Sequence, residues 1–337
     1  MVGHSPKVLS EYYNLIKDYA DVSIAAPSVY TPVLPAGAED VALLLPKKIV
    51  MTSQTGIVGK IANKFHMFTN IKKAISYSDA EVLWFYNVEY YMMLYMMFHK
   101  KPDKRIVCTM FRDRYSGGKL GRIRQWVFER AQKKIDLIVA TGPGLQYKNC
   151  KSVFIPDYFY EPTVYEQYAN VEKKEQVVCL GTMGDGKLLE ELVKAFNDVH
   201  YRLIIAGRFY DKQRLQRLKD AARSNITIID EYIPVRKYYE LLAQSKYTVL
   251  PYNPKVYNTQ TSGVMQEAMF LGTVPIAFGK VLEGSGIPGA AIEAFNNIND
   301  EFLYTDRTDI CAKYKALIEQ RYTREVIEAG YREAFGI

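Results

Sequence analysis

Asn258 to Ala277 read NTQTSGVMQEAMFLGTVPIA, and the periodicity changes twice within them. Small and polar side chains come first, at Thr259, Gln260, Thr261, Ser262 and Gly263. Val264, Met265, Ala268, Met269 and Leu271 then recur at helical spacing, with Glu267 polar among them. Gly272 stops that helix, and Val274-Pro275-Ile276-Ala277 starts a strand. Upstream, Tyr247–Pro251 (YTVLP) is strand-like and leads into a loop with Tyr252, Asn253 and Pro254. Strand, loop, helix, strand is the repeating unit of a parallel α/β sheet. A loop of Thr, Ser and Gly opening a helix leaves free N–H groups and a positive dipole end. Such a place suits an anion, and any Ser-capped helix also offers it to water. Glu267, one turn in, is placed to accept hydrogen bonds from sugar hydroxyls.

The same alternation extends in both directions. Ser5–Tyr19 predicts a helix, with a Ser cap and Pro at the first position. Strand-like runs follow at Asp21–Pro27, Val41–Leu45, Lys48–Thr52, Glu81–Phe85, Arg105–Met110, Asp136–Thr141 and Ser152–Pro156. Helical patterns at Ile57–Ser76, Val88–His99 and Lys119–Lys134 lie between them. Polar residues from Glu161 to Glu175 read as a linker. A second series runs from Gln176–Gly181 through Arg202–Ala206 and Ile226–Ile229 to Tyr247–Leu250, with helices at Lys187–Asn197, Asp211–Arg223 and Val235–Gln244. Helices at Asp309–Glu319 and Arg324–Phe335 end the chain. The expected fold is therefore α/β, with two Rossmann-like domains, 1–160 and 161–337, facing each other across a cleft. The pattern gives the first domain no opening strand, because Met1-Val2-Gly3-His4 passes straight into the Ser5 helix. Truncation upstream and a sheet built without that strand both account for this, and truncation is the favoured reading.

Composition narrows the class. With 337 residues, 48% hydrophobic and 24% charged, the chain can build two ordinary cores. Its net charge of +7 suits nucleotide phosphates, anionic lipid or nucleic acid without choosing among them. Cys108, Cys150, Cys179 and Cys311 are far apart without CxxC spacing, which argues against a disulfide framework or a zinc site and for a reducing, cytoplasmic setting. Val82–Phe98, the most hydrophobic window, is interrupted by Asn87 and Glu89 and is too short to span a bilayer.

Residues 261–277, TSGVMQEAMFLGTVPIA, resemble the donor-binding helix of family 4 glycosyltransferases, enzymes of the two-domain GT-B architecture. Glu267, Gly272, Pro275 and Ile276 carry the match, which is specific over about Val177–Pro288. The resemblance implies a retaining, metal-independent sugar transfer from a nucleotide-sugar donor, with no further cofactor and no metal site. It implies that Glu267 holds the donor ribose. A second glutamate of that family falls at Thr259 here. Gly181-Thr182-Met183-Gly184-Asp185-Gly186-Lys187 follows a strand and opens a helix, which fits a phosphate loop or an ordinary tight turn. The family's lysine matches Lys187; its arginine position holds Thr182, and Arg208 after the next strand is a substitute cation. Lys187, Arg208 and Glu267 are thus the candidate catalytic residues, and Gly184, Tyr252, Thr261, Ser262, Gly263 and Glu267 the candidate donor site. No DxD follows a strand, so a metal-dependent mechanism is not expected.

The acceptor side is thinner. The family's histidine after the strand Arg105–Met110 is absent, leaving Arg112 and Asp113, which could equally pair with each other. Gly3 and His4 are the other candidates, His4 being the histidine nearest an expected cleft; His66, His99 and His200 read as surface or packing residues. Lys119–Lys134 places Leu120, Ile123, Val127 and Ala131 on one stripe, with Lys119, Arg122, Arg124, Arg130, Lys133, Lys134 and Trp126 around the rest. A solvated basic face is one reading. Contact with an anionic membrane is the other, and Ile57–Ser76, with Lys60, Lys64, Lys72, Lys73 and Phe65 or Phe68, extends it. Nucleic acid fits poorly, because the charges are dispersed. The leading expectation is a glycosyltransferase acting on a glycan or lipid-linked acceptor in bacterial surface polysaccharide assembly, at the inner face of the membrane. A non-hydrolysing nucleotide-sugar epimerase and a catalytically silent glycan- or nucleotide-binding partner are the alternatives.

Overall fold

The structure, a computed structural model, describes residues 6–25, 57–77, 79–86, 88, 90–115, 120–255, 257 and 261–337. Gly3, His4, Thr259 and the expected strands Val41–Leu45 and Lys48–Thr52 lie outside these residues. The chain divides into two compact units. One comprises the chain to Thr141 with Gln146–Ile155 and Ile327–Ile337; the other comprises Gly142–Leu145 and Pro156–Val326.

In the first unit, α1 (Pro6–Ile16), α2 (Ile57–Tyr77), β1 (Val82–Phe85), α3 (Tyr90–Phe98), β2 (Arg105–Met110), α4 (Gly121–Gln132), β3 (Leu137–Ala140) and β4 (Ser152–Phe154) follow in order. The four strands pair in parallel in the order β1-β2-β3-β4. Ile106 to Met110 are buried without interruption, as a strand covered on both faces requires. Asp21 to Ala25, expected as the start of a strand, form no strand. The residues from Ile327 onward pack on the same sheet. The Trp84 ring centroid lies 5.2 Å from Tyr331 and 5.3 Å from Phe335, and Arg105 donates to the Ala334 carbonyl at 2.8 Å.

The second unit contains α5 (Pro162–Tyr165), β5 (Lys174–Leu180), α6 (Leu189–Phe196), β6 (Arg202–Ala206), α7 (Lys212–Ala221), β7 (Ile226–Ile229), α8 (Val235–Ala243), β8 (Ser245–Val249), α9 (Gly263–Phe270), β9 (Val274–Phe278), α10 (Gly279–Ser285), β10 (Ala290–Ile292), α11 (Asp300–Tyr304) and α12 (Thr308–Arg321). The last helix of the chain is α13 (Arg324–Phe335). The strands form one parallel sheet in the order β10-β9-β8-β5-β6-β7. The polar stretch expected as a linker is not loose. Tyr165 is 4% exposed, and its ring meets Phe270 at 5.0 Å and Tyr239 at 5.5 Å. Period counting misses this anchor, because a single buried ring among polar neighbours leaves no periodic signal.

Candidate functional site

β6 and β7 extend from one side of β5, while β9 and β10 extend beyond β8. The strand order therefore reverses between β5 and β8, and open α/β sheets bind ligands outside the carboxyl ends at such a reversal. The turn Gly181–Lys187 leaves β5 at this place, and the segment starting at Pro251 leaves β8. Leu188 N donates to Pro251 O at 2.7 Å, Asn253 N donates to Gly186 O at 3.2 Å, and Lys187 pairs with Tyr252 as an antiparallel bridge. A cavity of 310 Å³ opens here, lined by Leu180, Gly181, Thr182, Gly184, Gly186, Lys187, Tyr252, Tyr257 and Val264.

Lys187 is the chemical centre of this cavity. It is 8% exposed, and its Nζ donates to the Leu180 carbonyl at 2.8 Å and lies 3.8 Å from Met183 Sδ. The ammonium also sits 5.8 Å from the Tyr252 ring centroid. Among the described residues no carboxylate forms an ion pair with it. Dipoles alone compensate a buried cation poorly, so an arriving anion gains more from it than from a solvated lysine. Arg214, which period counting overlooks, holds the turn in shape. Its guanidinium donates to Gly184 O at 3.0 Å and to Lys187 O at 2.7 Å, while bonding both oxygens of Glu190. Arg214 sits on α7 beside Leu215, and an arginine on an apolar helix face is the one sequence signal that could have revealed it.

Ser262 stands at the position preceding α9, yet its side chain does not cap the helix. Its Oγ instead lies 2.9 Å from the Tyr252 hydroxyl, and burial pushes that phenol up to about 12. Tyr252 stacks on Tyr257 with centroids 4.3 Å apart. Thr261 is half-buried just before. At Gly263 a Cβ would fall 2.8 Å from the Tyr158 hydroxyl and 2.9 Å from its ring, so the glycine admits Tyr158 against the start of the helix.

Glu267 is 9% exposed, and α8 holds it in place. Tyr238 donates to one oxygen at 2.6 Å and Tyr239 to the other at 3.2 Å. Burial, then the Glu267 charge, push the Tyr238 phenol well above its usual range, so it stays protonated and donating. The carboxylate is thus fixed in advance by two phenol donors. Next to it on α9, Gln266 Nε2 donates to Asp157 at 2.8 Å. Burial raises the Asp157 carboxyl to about 6.

This last shift gives an unusual pH dependence. The native state holds the Asp157 proton more tightly than the unfolded chain does. Stability from this group is therefore greatest below about pH 4 and declines as pH rises through about 6. Asp157→Asn keeps an oxygen for Gln266 and removes the buried charge. It is expected to raise the melting temperature near pH 8 by about 5 °C or more, from about 3 kcal/mol, and to give no gain near pH 4. An equal effect at both pH values in scanning calorimetry would refute it.

Arg208 is exposed at the end of β6, its guanidinium 5.1 Å from the Tyr232 centroid, and it does not line the cavity. In the first unit, Arg112 is exposed and lies 5.5 Å over the Tyr115 ring. Asp113 is 6% exposed; it accepts from Gln146 N at 3.3 Å and lies 3.8 Å from Arg114 Nε, so its ion pair is with Arg114 rather than Arg112. Among the described residues, no cluster of three or more His, Cys, Asp or Glu could hold a metal ion.

No protein-family model matches the chain, and no curated protein matches it. Solved structures do. HepE of Anabaena, determined with UDP and glucose, is 14% identical with a TM-score of 0.66, over 100% of this chain and 96% of that one. The trehalose-6-phosphate synthase OtsA is 9% identical with a TM-score of 0.61, over 98% and 84%. AviGT4, a glycosyltransferase of avilamycin A biosynthesis, is 14% identical with a TM-score of 0.52, over 80% and 78%. At these identities the likeness concerns the path of the chain, and on that ground the fold is that of the GT-B glycosyltransferases.

Proposed function

We propose that this protein is a glycosyltransferase that moves a sugar from a nucleoside diphosphate sugar to a glycan or lipid-linked acceptor. The carrying observation is Lys187, a buried ammonium with no carboxylate partner among the described residues, in a cavity at the strand-order reversal. The donor diphosphate meets Lys187 and the N-terminal end of α9, whose dipole stabilises the charge that grows on the leaving group. These groups do the work a metal does elsewhere, so the reaction proceeds without one. Glu267, steadied by Tyr238 and Tyr239, accepts from the ribose hydroxyls. Retention of configuration and a role in bacterial surface polysaccharide assembly follow the family resemblance, and the acceptor is engaged at the inner face of the membrane. Release of nucleoside diphosphate from a panel of nucleotide sugars, with chelator present, is the test. Turnover of one donor supports the reading, whereas binding without turnover would make the protein a silent partner.

The ribose assignment has its own test. Glu267→Gln is expected to weaken nucleoside diphosphate binding about tenfold while leaving inorganic diphosphate, which has no ribose, unaffected. Equal losses for both ligands in calorimetry would show that Glu267 acts on the fold of the site and not on the sugar.

A further inference from the structure

The sequence pattern places Leu120, Ile123, Val127 and Ala131 on one stripe, and the structure splits that stripe in two. Val127 and Ala131 are 2% and 0% exposed and face the core together with Phe128. Leu120, Ile123 and Trp126 are 55%, 57% and 51% exposed. Three large apolar side chains at consecutive threes stand in solvent at the start and along the outer face of α4.

Their neighbours on that face are cations. At 100° per residue, Arg122, Lys133, Trp126, Arg130 and Ile123 fall within one arc of about 100°. All five are exposed. The Arg130 guanidinium lies 5.4 Å from the Trp126 centroid, so indole and charge share one position at the surface. The one carboxylate on α4, Glu129, is half-buried and already bound by Lys148 at 3.0 Å and by Gln125 at 3.0 Å. At the far end of α4, Lys134 donates to the carbonyls of Met97 and His99, which brings the turn after α3 against it. There the last residue of α3, Phe98, is 71% exposed, and exposed Lys100 follows it. Neither α2 nor α3 contains an acidic residue.

We infer that the outer face of α4 inserts into an anionic bilayer, with Ile123 and Trp126 among the acyl chains and the arginines at the phosphates. This deepens the membrane side of the proposed function, and it is independent of the donor site. Charge decides among the occupants. In a symmetric pair of copies, Arg122, Arg130 and Lys133 would approach their own equivalents. A nucleic acid backbone offers nothing to an isoleucine and an indole at the centre of the patch. An anionic lipid surface meets both the cations and the apolar side chains, which is the arrangement of helices that lie in a membrane interface. Among the described residues no helix is long and apolar enough to cross the membrane, so contact through these helices is in the plane.

The test uses the intact chain and vesicles of phosphatidylglycerol mixed with phosphatidylcholine, some with bromine on the acyl chains. Bromolipid is expected to quench tryptophan fluorescence in the native protein and not in Trp126→Phe, whose remaining indole is Trp84. Binding is expected to weaken as salt rises without vanishing, since the inserted apolar side chains are not screened. Ile123→Ser with Trp126→Ser is expected to reduce partition at least tenfold, with an unchanged melting temperature because both side chains are exposed. Absent quenching, undiminished partition of the double variant, or a dimer that the same substitutions dissolve would each overturn the proposal. Donor binding is measured separately without vesicles, so failure of the transferase reading cannot pass for failure of this one.

Discussion

A Lys187→Met protein is expected to transfer sugar with kcat/KM reduced by about 100- to 1,000-fold, equivalent to about 3–4 kcal/mol of lost charge stabilisation. Methionine preserves most of the buried stem and removes the ammonium alone. The native amine is bound by one backbone carbonyl and a sulfur, so the Leu180 oxygen loses that donor in the variant. That loss costs about 1 kcal/mol of stability, which a thermal melt at saturating and zero nucleotide separates from the kinetic effect. Affinity for the free nucleoside diphosphate should fall at least tenfold in calorimetry. A variant that binds and turns over normally would remove Lys187 from the mechanism and take the proposed donor site with it.

Gly207→Ala is expected to cost more than about 4 kcal/mol and to leave the second unit largely unfolded at physiological temperature. Gly207 has φ +153, and a Cβ there would lie 1.8 Å from the Gly181 carbonyl oxygen and 2.8 Å from its carbon. The obstruction is backbone, which no rotamer change relieves. Gly181 itself has φ +96, and its N–H is anchored to Ala206 O at 3.2 Å. The turns after β5 and β6 are thus pressed together, and Met183 N, bonded to Arg208 O at 3.0 Å, extends the contact. An alanine at Gly184, where nothing lies within 4 Å, is the control and should cost less than about 1 kcal/mol. Comparable melting temperatures for the two variants would mean that the approach of the turns is not needed for the fold.

Legibility in the sequence followed from how local the information was. Strands β2, β6 and β7 are fully apolar or nearly so, and their ranges match the periodic runs to the residue. The helix after Ser262 and its stop at Gly272 were equally plain, because both termini carry chemical signals a few residues long. Asp21 to Ala25 misled, since a short apolar run reads alike whether or not it pairs. Ser262 was in the right place with the wrong partner: its residue type specifies a cap, whereas the Tyr252 hydroxyl from another loop captures it.

By itself, then, the sequence determined the alternation of apolar runs and helices, the polar turns at Gly181–Lys187 and Thr261–Gly263, and the candidate residues within them. Those are properties of neighbours along the chain, set by side-chain period and backbone freedom. Tertiary structure alone decided that Lys187 and Tyr252 share a cavity, because only the strand order puts β5 beside β8. It also decided that Arg214 grips the Gly184–Lys187 turn from α7, that Tyr238 and Tyr239 fix Glu267, and that Asp157 is buried against Gln266. On α4 it decided which apolar residues enter the core, since the helix axis meets the sheet at one rotation and leaves Ile123 and Trp126 outside. Each of these joins residues 27 to 109 positions apart, or depends on the orientation of a whole element, and no local pattern encodes such a distance.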